Sequence, residues 1–237
     1  MRLIVEADAD AAAARAALEI ANACDAALDE RKIALIALSG GRTPWQMIEK
    51  LRTCVLGWGD IHVAQVDERV VPPGDERRNI TRLEDVLVRE GPLSRNNLLD
   101  MPVCATDLAA AARSYQAILE AIGGTPLRFD VVQLGLGVDG HTASLVPGDP
   151  LLDAVEDDVA ISAEYEGTRR MTLTLNALSR ARQRVWLITG AEKAPRLKDL
   201  IEGTAVIPAN RVERRGTLVV ADLAACPPGL ATVVNPS

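Results

Sequence analysis

Short apolar runs alternate with stretches of helical character along most of this 237-residue chain. The runs at residues 33–38, 61–66, 129–134 and 184–188 each have the length and composition of a strand that is buried on both faces. Glycine or charged residues follow closely after each of them. This order is typical of α/β proteins, and it predicts a mainly parallel sheet that is covered by helices on both faces.

Weaker signals complete the set of predicted elements. Further strands are expected at residues 3–5, 159–163, 171–175 and 218–221, and the segment 150–175 can include an antiparallel piece. Helices are expected at residues 9–28, 44–51, 80–89 and 106–122, and a last one follows the break at residues 189–190 and runs to about 201. Asp8 or Asp10, Asn79 and Thr106 are the expected N-caps. The sequence shows no internal repeat and no low-complexity linker. We therefore predict one domain that spans residues 1–237.

Composition limits the classes of partner. The formal net charge is -7 at pH 7 and aromatic residues make up 3% of the chain, which disfavours nucleic-acid binding because that requires a basic surface. A phosphorylated small molecule is compatible with this charge, since a few local Arg and Lys residues can hold it. No run approaches the ~20 apolar residues of a membrane span, and the N-terminus lacks a signal-peptide pattern. We expect a cytoplasmic protein without membrane contact.

The cysteines indicate a reducing compartment. None of the four lies at metal-ligand spacing from another, and no CxxC motif occurs. We expect free thiols and no metal site. They are Cys24, Cys54, Cys104 and Cys226.

The most informative turn follows the apolar run at 129–134. Gly135, Gly137 and Gly140 break the chain there, and Asp139 and His141 lie among them. A strand that ends in a glycine-rich turn presents its next side chains at the carboxyl edge of the sheet, where α/β folds bind ligands. An imidazole beside a carboxylate is suited to proton transfer near neutral pH. We interpret His141 as functional, with a structural histidine as the alternative.

A second turn, at residues 39–44 (SGGRTP), has the features of an anion site. Gly40 and Gly41 allow backbone amides to converge, and the start of the next helix adds unpaired N–H groups and its dipole. Arg42 can add a charge and Thr43 a hydroxyl. The turn is neither a GxGxxG nor a Walker loop, which disfavours a nucleotide. A tight connection without a ligand is the alternative.

Charged residues follow the strand predicted at 61–66. Asp67, Glu68 and Arg69 come directly after it, and Asn79 lies downstream. They either contribute to a site at the same edge of the sheet or form a solvated loop.

Several other polar residues have two readings. Lys193, near a helix start after the strand at 184–188, either contacts a phosphate or lies exposed. The pair at 169–170 (RR) either does the same or coats an edge strand. Ser144 is interpreted as a helix-cap or packing hydroxyl, because no GxSxG elbow surrounds it. His62, inside a predicted strand, is interpreted as structural.

The chain resembles the 6-phosphogluconolactonase family, which is related to the glucosamine-6-phosphate isomerases and deaminases. The resemblance is carried, in the family's order, by LSGGRTP (38–44), DERVVP (67–72), LGLGVDGHTASLVPG (134–148), RRMTLTLNAL (169–178) and TGAEK (189–193). It implies a Rossmann-like, three-layer α/β/α fold of the isomerase/CoA-transferase-like type. It also implies hydrolysis of 6-phospho-D-glucono-1,5-lactone to 6-phosphogluconate in the pentose phosphate pathway, without a cofactor or metal.

The resemblance also implies roles for individual residues. His141 would be the catalytic base, Arg69 would face the substrate, and Asp139 would hold the imidazole if it lies close enough. Arg169 is not distinguished from Arg170 by the motif. We expect the substrate- and phosphate-binding residues to be Gly40, Gly41, Arg42, Thr43, Asp67, Arg170 and Lys193.

The chain departs from the family pattern at two positions. Related lactonases usually have Phe in place of Val146, and Ser in place of Arg78, and the second difference affects the contacts expected around Asn79. Related deaminases follow the His segment with an Asn-Glu-Pro stretch that supplies a carboxylate, whereas residues 142–148 contain no Asp or Glu. This favours a lactonase. The alternatives are a sugar-phosphate isomerase or deaminase on the same scaffold, and a non-catalytic sugar-phosphate binding protein. We expect a monomer.

Overall fold

The computed structural model describes residues 1–54, 56–153, 156–227 and 229. Ten strands occur within these residues. They are β1 (Arg2–Glu6), β2 (Ala34–Leu38), β3 (Ile61–Gln65), β4 (Asp67–Arg69), β5 (Leu98–Leu99), β6 (Val131–Leu134), β7 (Val159–Ile161), β8 (Arg170–Leu173), β9 (Gln183–Ile188) and β10 (Thr217–Asp222). Seven of the strands form one sheet in the order β1-β10-β9-β6-β2-β3-β5, and all neighbours in it are parallel.

Six α-helices connect or cover these strands in the described part of the chain. They are α1 (Ala9–Arg31), α2 (Arg42–Leu51), α3 (Asn79–Leu83), α4 (Leu108–Gly123), α5 (Leu175–Arg180) and α6 (Ala194–Glu202). After α3 the chain continues as a π-helical segment, Glu84–Arg89. No helix among the described residues is both long and apolar enough to cross a bilayer.

The large sheet separates two hydrophobic clusters. Alternate residues of β2 point to opposite faces, so that Leu35 and Ala37 belong to one cluster and Ile36 and Leu38 to the other. Helices α4, α5 and α6 pack into the first cluster, and α1, α2 and α3 pack into the second. The predicted three-layer α/β/α fold with a mainly parallel sheet is confirmed.

Helix α1 shows why the low aromatic content still permits a dense core. The Asp8 side chain caps the helix by accepting a hydrogen bond from the Ala11 N–H at 2.9 Å. A stripe of small side chains, including the fully buried Ala12, Ala13 and Ala16, faces the sheet. Side chains of this size allow the helix and the strands to approach closely, so large aromatic residues are not needed to fill the gap.

A second, three-stranded sheet adjoins the first one. Its order is β4-β8-β7 and both pairs are antiparallel, as expected for part of the segment 150–175. Val66 links the two sheets, because its N–H donates to the Leu38 carbonyl and its carbonyl accepts from the Leu173 N–H. Residues 67–69 therefore form a strand, and the solvated-loop alternative is wrong.

Two predicted helix caps are also wrong. Arg78 occupies the N-cap position of α3, and the Asn79 side chain turns away from the helix to donate to the Asp67 carbonyl. At α4 the cap is Asp107, whose carboxylate accepts from the Ala110 N–H, and Thr106 lies outside the helix. In both places a nearby group satisfies the first helical N–H groups better than the predicted residue does.

All four cysteines are free. Burial, together with the nearby charge of Asp130, raises the pKa of Cys24 to about 12.

Candidate active site

A cleft of about 410 Å³ opens at the carboxyl edge of the large sheet. The neighbouring strands β9, β6, β2 and β3 all end there, and each is followed by a polar turn. The small sheet and its connecting hairpin close one side. The side chains and backbone that line the cleft belong to Ser39, Gly40, Arg42, Thr43, Pro44, Asp67, Arg69, Asn79, residues 135–138, His141, Ala143, Tyr165, Glu166, Arg170, residues 187–189, Glu192 and Lys193.

Two hydrogen bonds from Ser39 attach the turn after β2 to strand β6. Ser39 donates its N–H to Gln133 Oε1 at 3.1 Å and its hydroxyl to the Gln133 carbonyl at 2.9 Å. Gly40 has no room for a side chain, since a Cβ there would lie 1.9 Å from Asn79 Oδ1. Gly41, with φ of 122°, is the N-cap of α2 and does not line the cleft.

Two polar side chains extend from this turn toward the cleft. Thr43 Oγ1 lies 2.9 Å from Thr189 Oγ1, which ties the turn after β2 to the turn after β9. Arg42 is exposed at the rim and its guanidinium forms no ion pair with a described residue. The guanidinium is therefore available to an anion in the cleft.

Strand β4 places Asp67 and Arg69 on the cleft side. Arg69 Nη1 donates to the Arg77 carbonyl at 2.7 Å and to Asn79 Oδ1 at 3.2 Å. Ser144 donates its hydroxyl to Asp67 Oδ2 at 2.5 Å. Ser144 is therefore neither a helix cap nor aimed at a substrate, and its role is to hold the carboxylate of Asp67.

Between these two residues, Glu68 points into the protein and is fully buried. Its Oε1 accepts the backbone N–H groups of Arg69 and Asn79 at 2.8 and 2.9 Å. Its Oε2 accepts from Gln65 Nε2 and from the Ile80 N–H at 2.8 and 2.9 Å. Glu68, rather than the Asn79 side chain, therefore accepts the first backbone N–H groups of α3.

Arg78, at a position where related lactonases usually have Ser, pairs with the buried carboxylate of Glu68. Arg78 is 8% exposed, and its Nε lies 3.2 Å from Glu68 Oε2. The buried ion pair fixes the segment between β4 and α3 and thereby the positions of Arg69 and Asn79 in the cleft.

The glycine turn after β6 brings His141 and Asp139 together. His141 Nδ1 lies 2.6 Å from Asp139 Oδ1, which also accepts the His141 backbone N–H at 3.1 Å. The contact assigns Nδ1 as the protonated nitrogen of the neutral ring. The other nitrogen, Nε2, makes no hydrogen bond to a described residue, and the ring lines the cleft. His141 thus has the geometry of a general base that is oriented by a carboxylate.

Opposing effects act on Asp139. Partial burial raises the pKa of this carboxyl, but the hydrogen bonds from His141 and the positive charge of the protonated ring outweigh burial, so the pKa is lowered below its ordinary value. Asp139 is therefore an anion at neutral pH. It touches the histidine without itself lining the cleft.

The hairpin between β7 and β8 supplies three more residues. Arg170 is 6% exposed and lies over the Tyr165 ring, 4.9 Å from its centroid. Its Nη2 is 3.0 Å from Glu166 Oε2. The Tyr165 ring also meets His141 edge-on, with 5.8 Å between the centroids. Arg169 is exposed and does not line the cleft, so the structure brings only one of the two arginines into it.

Lys193 enters from the turn after β9. Burial lowers the pKa of its ammonium group, and the charges of Glu192 and Asp139 oppose that shift. Lys193 adds a cation to the same cleft.

Sequence reasoning missed Tyr165, Glu166 and Glu192, which also line the cleft. The rarity of tyrosine, with two in the chain, is the one signal that singles out Tyr165. Among the residues that the structure describes, no group of three or more His, Cys, Asp or Glu side chains is arranged to hold a metal ion. His62 lies in β3, outside the cleft, and burial lowers its pKa.

The cleft combines positive charge with one oriented base. The cations are Arg42, Arg69, Arg170 and Lys193, and the carboxylates that line the cleft are Asp67, Glu166 and Glu192. Such an arrangement can bind a phosphorylated molecule and remove a proton from water beside it.

Comparison with known proteins identifies relatives over almost the whole chain. Residues 7–220 match the model of the family described as glucosamine-6-phosphate isomerases/6-phosphogluconolactonase. The 6-phosphogluconolactonase of Mycobacterium tuberculosis is 34% identical over 230 residues, which cover 91% of this chain and 93% of the relative. That of Synechocystis sp. is 35% identical over 205 residues, covering 81% and 83%.

Solved structures agree with this relationship. The 6-phosphogluconolactonase from Thermotoga maritima has a TM-score of 0.81 and 25% identity, and the match covers 93% of this chain and 98% of that one. A monomeric glucosamine-6-phosphate deaminase has a TM-score of 0.82 with 19% identity, covering 95% and 98%, and shows that the fold is shared more widely. The chain belongs to the glucosamine-6-phosphate isomerase/6-phosphogluconolactonase family.

Proposed function

We propose that this protein is an enzyme that hydrolyses 6-phospho-D-glucono-1,5-lactone to 6-phosphogluconate, a step of the pentose phosphate pathway. The observation that carries the proposal is the His141–Asp139 pair, which lies in a cleft with four cations. The relatives named above, which carry the name 6-phosphogluconolactonase, support the same substrate.

The first chemical step is the attack of water on the lactone carbonyl. His141 Nε2 takes a proton from the water while the water oxygen forms a bond to C1. Asp139 fixes the ring by its contact with Nδ1 and stabilises the imidazolium that forms. Arg69 or backbone N–H groups of the turns stabilise the negative charge on the carbonyl oxygen.

The second step is the opening of the ring. The bond between C1 and the ring oxygen breaks, and the imidazolium of His141 returns its proton to that oxygen, which becomes a hydroxyl group. The new carboxylic acid loses its proton to solvent. The base is then neutral again, so no cofactor or metal is needed for the cycle.

The phosphate binds away from the reacting carbon. Arg42, Arg170 and Lys193 are the cations proposed to hold it, together with Thr43 and the backbone N–H of Gly40. Asp67 lies on the same wall, where it can accept hydrogen bonds from sugar hydroxyls. Anchoring at the phosphate orients the lactone for attack.

The test is a coupled assay of 6-phosphogluconate formation, corrected for spontaneous hydrolysis and run with a metal chelator. The variant His141→Ala is expected to lower kcat at least ~100-fold, the usual contribution of a general base, with little change in KM. His62→Ala, which lies outside the cleft, is the matched control. Near wild-type turnover by His141→Ala would refute the role of this residue.

Three further measurements separate this proposal from the alternative functions. Unphosphorylated gluconolactone is expected to be a poor substrate, because it lacks the anchored group. Ammonia release from glucosamine 6-phosphate would show a deaminase, an activity that the description of the family and one solved structure with the same fold name. Binding of the phosphorylated lactone without turnover would show a non-catalytic binding protein.

We further propose a monomer with one domain over residues 1–237, located in the cytoplasm and without nucleic-acid partners. The single seven-stranded sheet that both hydrophobic clusters share supports one domain. The four free cysteines support a reducing compartment. Light scattering coupled to size-exclusion chromatography tests the oligomeric state, and a mass of about twice 25.3 kDa would contradict a monomer.

A further inference from the structure

A second cleft lies at the opposite edge of the large sheet, beside the amino ends of β6, β9 and β10. Its volume is about 740 Å³, which is in the range of small-molecule sites. The carboxylate-bearing residue in its lining is Glu213, whereas five lining residues are arginines. These are Arg128, Arg180, Arg182, Arg184 and Arg215.

Carboxylates behind the cleft neutralise two of the five arginines. Arg180 pairs with Asp158, and Arg182 Nε lies 3.4 Å from Asp130 Oδ1. Among residues 1–54, 56–153, 156–227 and 229, no carboxylate forms an ion pair with the other three, Arg128, Arg184 and Arg215. The cleft therefore carries net positive charge in a chain whose net charge is -7.

Arg184 lies beneath this surface and is 2% exposed. Its guanidinium donates to Thr217 Oγ1 at 3.1 Å and to the carbonyls of Ser179 and Ala181 at 2.7 and 2.6 Å. Carbonyl groups carry only partial charge, so they satisfy the hydrogen bonds without cancelling the cation. Burial lowers the pKa of Arg184; Glu213 opposes this shift and Arg128 adds to it.

Arg128 and Arg215 are exposed and precede different strands. These strands, β6 and β10, flank β9, so Arg128 and Arg215 line the cleft from the two sides of β9. Each planar guanidinium can donate two N–H groups to the oxygens of one phosphate. An anion with neighbouring phosphate groups can engage both arginines while its charge is stabilised by Arg184 from below.

We propose that this cleft is a second ligand site, separate from the cleft of His141, and that it binds a small molecule with adjacent phosphate groups. The cleft size, the two exposed arginines and the buried cation all fit such a ligand.

The experiment is calorimetric titration with inorganic tripolyphosphate at physiological salt. The double variant Arg128→Ala/Arg215→Ala is expected to raise Kd at least about tenfold, since each loses a charged donor to the ligand. The control, Arg89→Ala/Arg113→Ala, removes two exposed arginines outside the cleft and should leave Kd unchanged. Absence of binding to the wild type, or equal losses in both double variants, would overturn the proposal.

Two further measurements complete the test. Lys193→Ala should leave tripolyphosphate binding intact, and loss of binding in this variant would assign the ligand to the cleft of His141 instead. A single-stranded oligonucleotide that binds through Arg128 and Arg215 more tightly than tripolyphosphate does would also overturn the proposal. Thermal melting checks that the variants are folded, and Arg215→Gln alone, which keeps the side chain polar, should still weaken binding.

Discussion

Replacing Glu68 by glutamine tests how the buried carboxylate positions the cleft. The substitution keeps the size and shape of the side chain but removes its charge. Each carboxylate oxygen accepts two N–H groups in the structure: Oε1 from Arg69 and Asn79, and Oε2 from Gln65 and Ile80. A glutamine amide has one acceptor oxygen, so its NH₂ group must face two donors at whichever position it occupies.

The expected cost follows from this geometry. Two hydrogen bonds to a charged acceptor are lost, each of which contributes about 1.5–3 kcal/mol. Arg78 is 8% exposed and keeps its charge without a carboxylate partner, and breaking a buried ion pair from one side costs about 3–5 kcal/mol. These losses overlap because the same side chain is involved. We expect Glu68→Gln to lower the free energy of unfolding by about 3–5 kcal/mol.

Urea denaturation followed by tryptophan fluorescence measures this change. With a slope of about 2–3 kcal/mol per molar urea, the midpoint should fall by about 1–2.5 M. The control is Arg77→Ala, one residue from Arg78 in sequence, whose ion pair with Asp75 is exposed and whose loss should leave the midpoint unchanged. A decrease below about 1 kcal/mol for Glu68→Gln would refute the assignment of Glu68 as the anchor of this segment.

Other changes in the cleft have distinct expected results, all measured by steady-state kinetics on the phosphorylated lactone. Tyr165→Phe removes only a long hydrogen bond, 3.5 Å to Asp139, so kcat should fall less than about fivefold, and a larger fall would contradict a packing role for the ring. Glu166→Gln removes a carboxylate that competes with phosphate for Arg170, so KM should fall about two- to fivefold at unchanged kcat, and a raised KM would contradict this. The pKa of Lys193 is lowered from 10.5, so this residue loses its positive charge at a pH below 10.5, and KM should rise as it does. Lys193→Arg should abolish this rise of KM at alkaline pH. An unchanged rise in that variant would exclude Lys193 as its source.

The sequence was sufficient to predict the main strands and the positions of His141, Arg69 and Lys193 beyond their carboxyl ends. In each case glycine or charged residues end an apolar run, and parallel strands end at a common edge. The same logic could not place Asn79, because whether it caps α3 depends on the buried carboxylate of Glu68, a partner eleven residues away in sequence.

The choice between Arg169 and Arg170 depended on strand register. Arg170 is paired directly with Arg69 across β4 and β8, so the two side chains share a face. A shift of one residue would have turned Arg169 into the cleft instead. Tyr165 belongs to the same antiparallel hairpin, whose position over the cleft depends on contacts that are distant in sequence. No local pattern determines such a pairing.

The tight packing behind the imidazole of His141 has a consequence for how this site can vary. A methyl group on Gly137 would lie 2.1 Å from His141 Nδ1 and 2.6 Å from Asp139 Oδ1. Even alanine would therefore wedge the ring and the carboxylate apart and leave both residues present but misaligned. A relative that keeps the histidine and aspartate but has any larger residue at this position would be expected to lack their contact, so the identity of residue 137 is informative about whether such a pair can work.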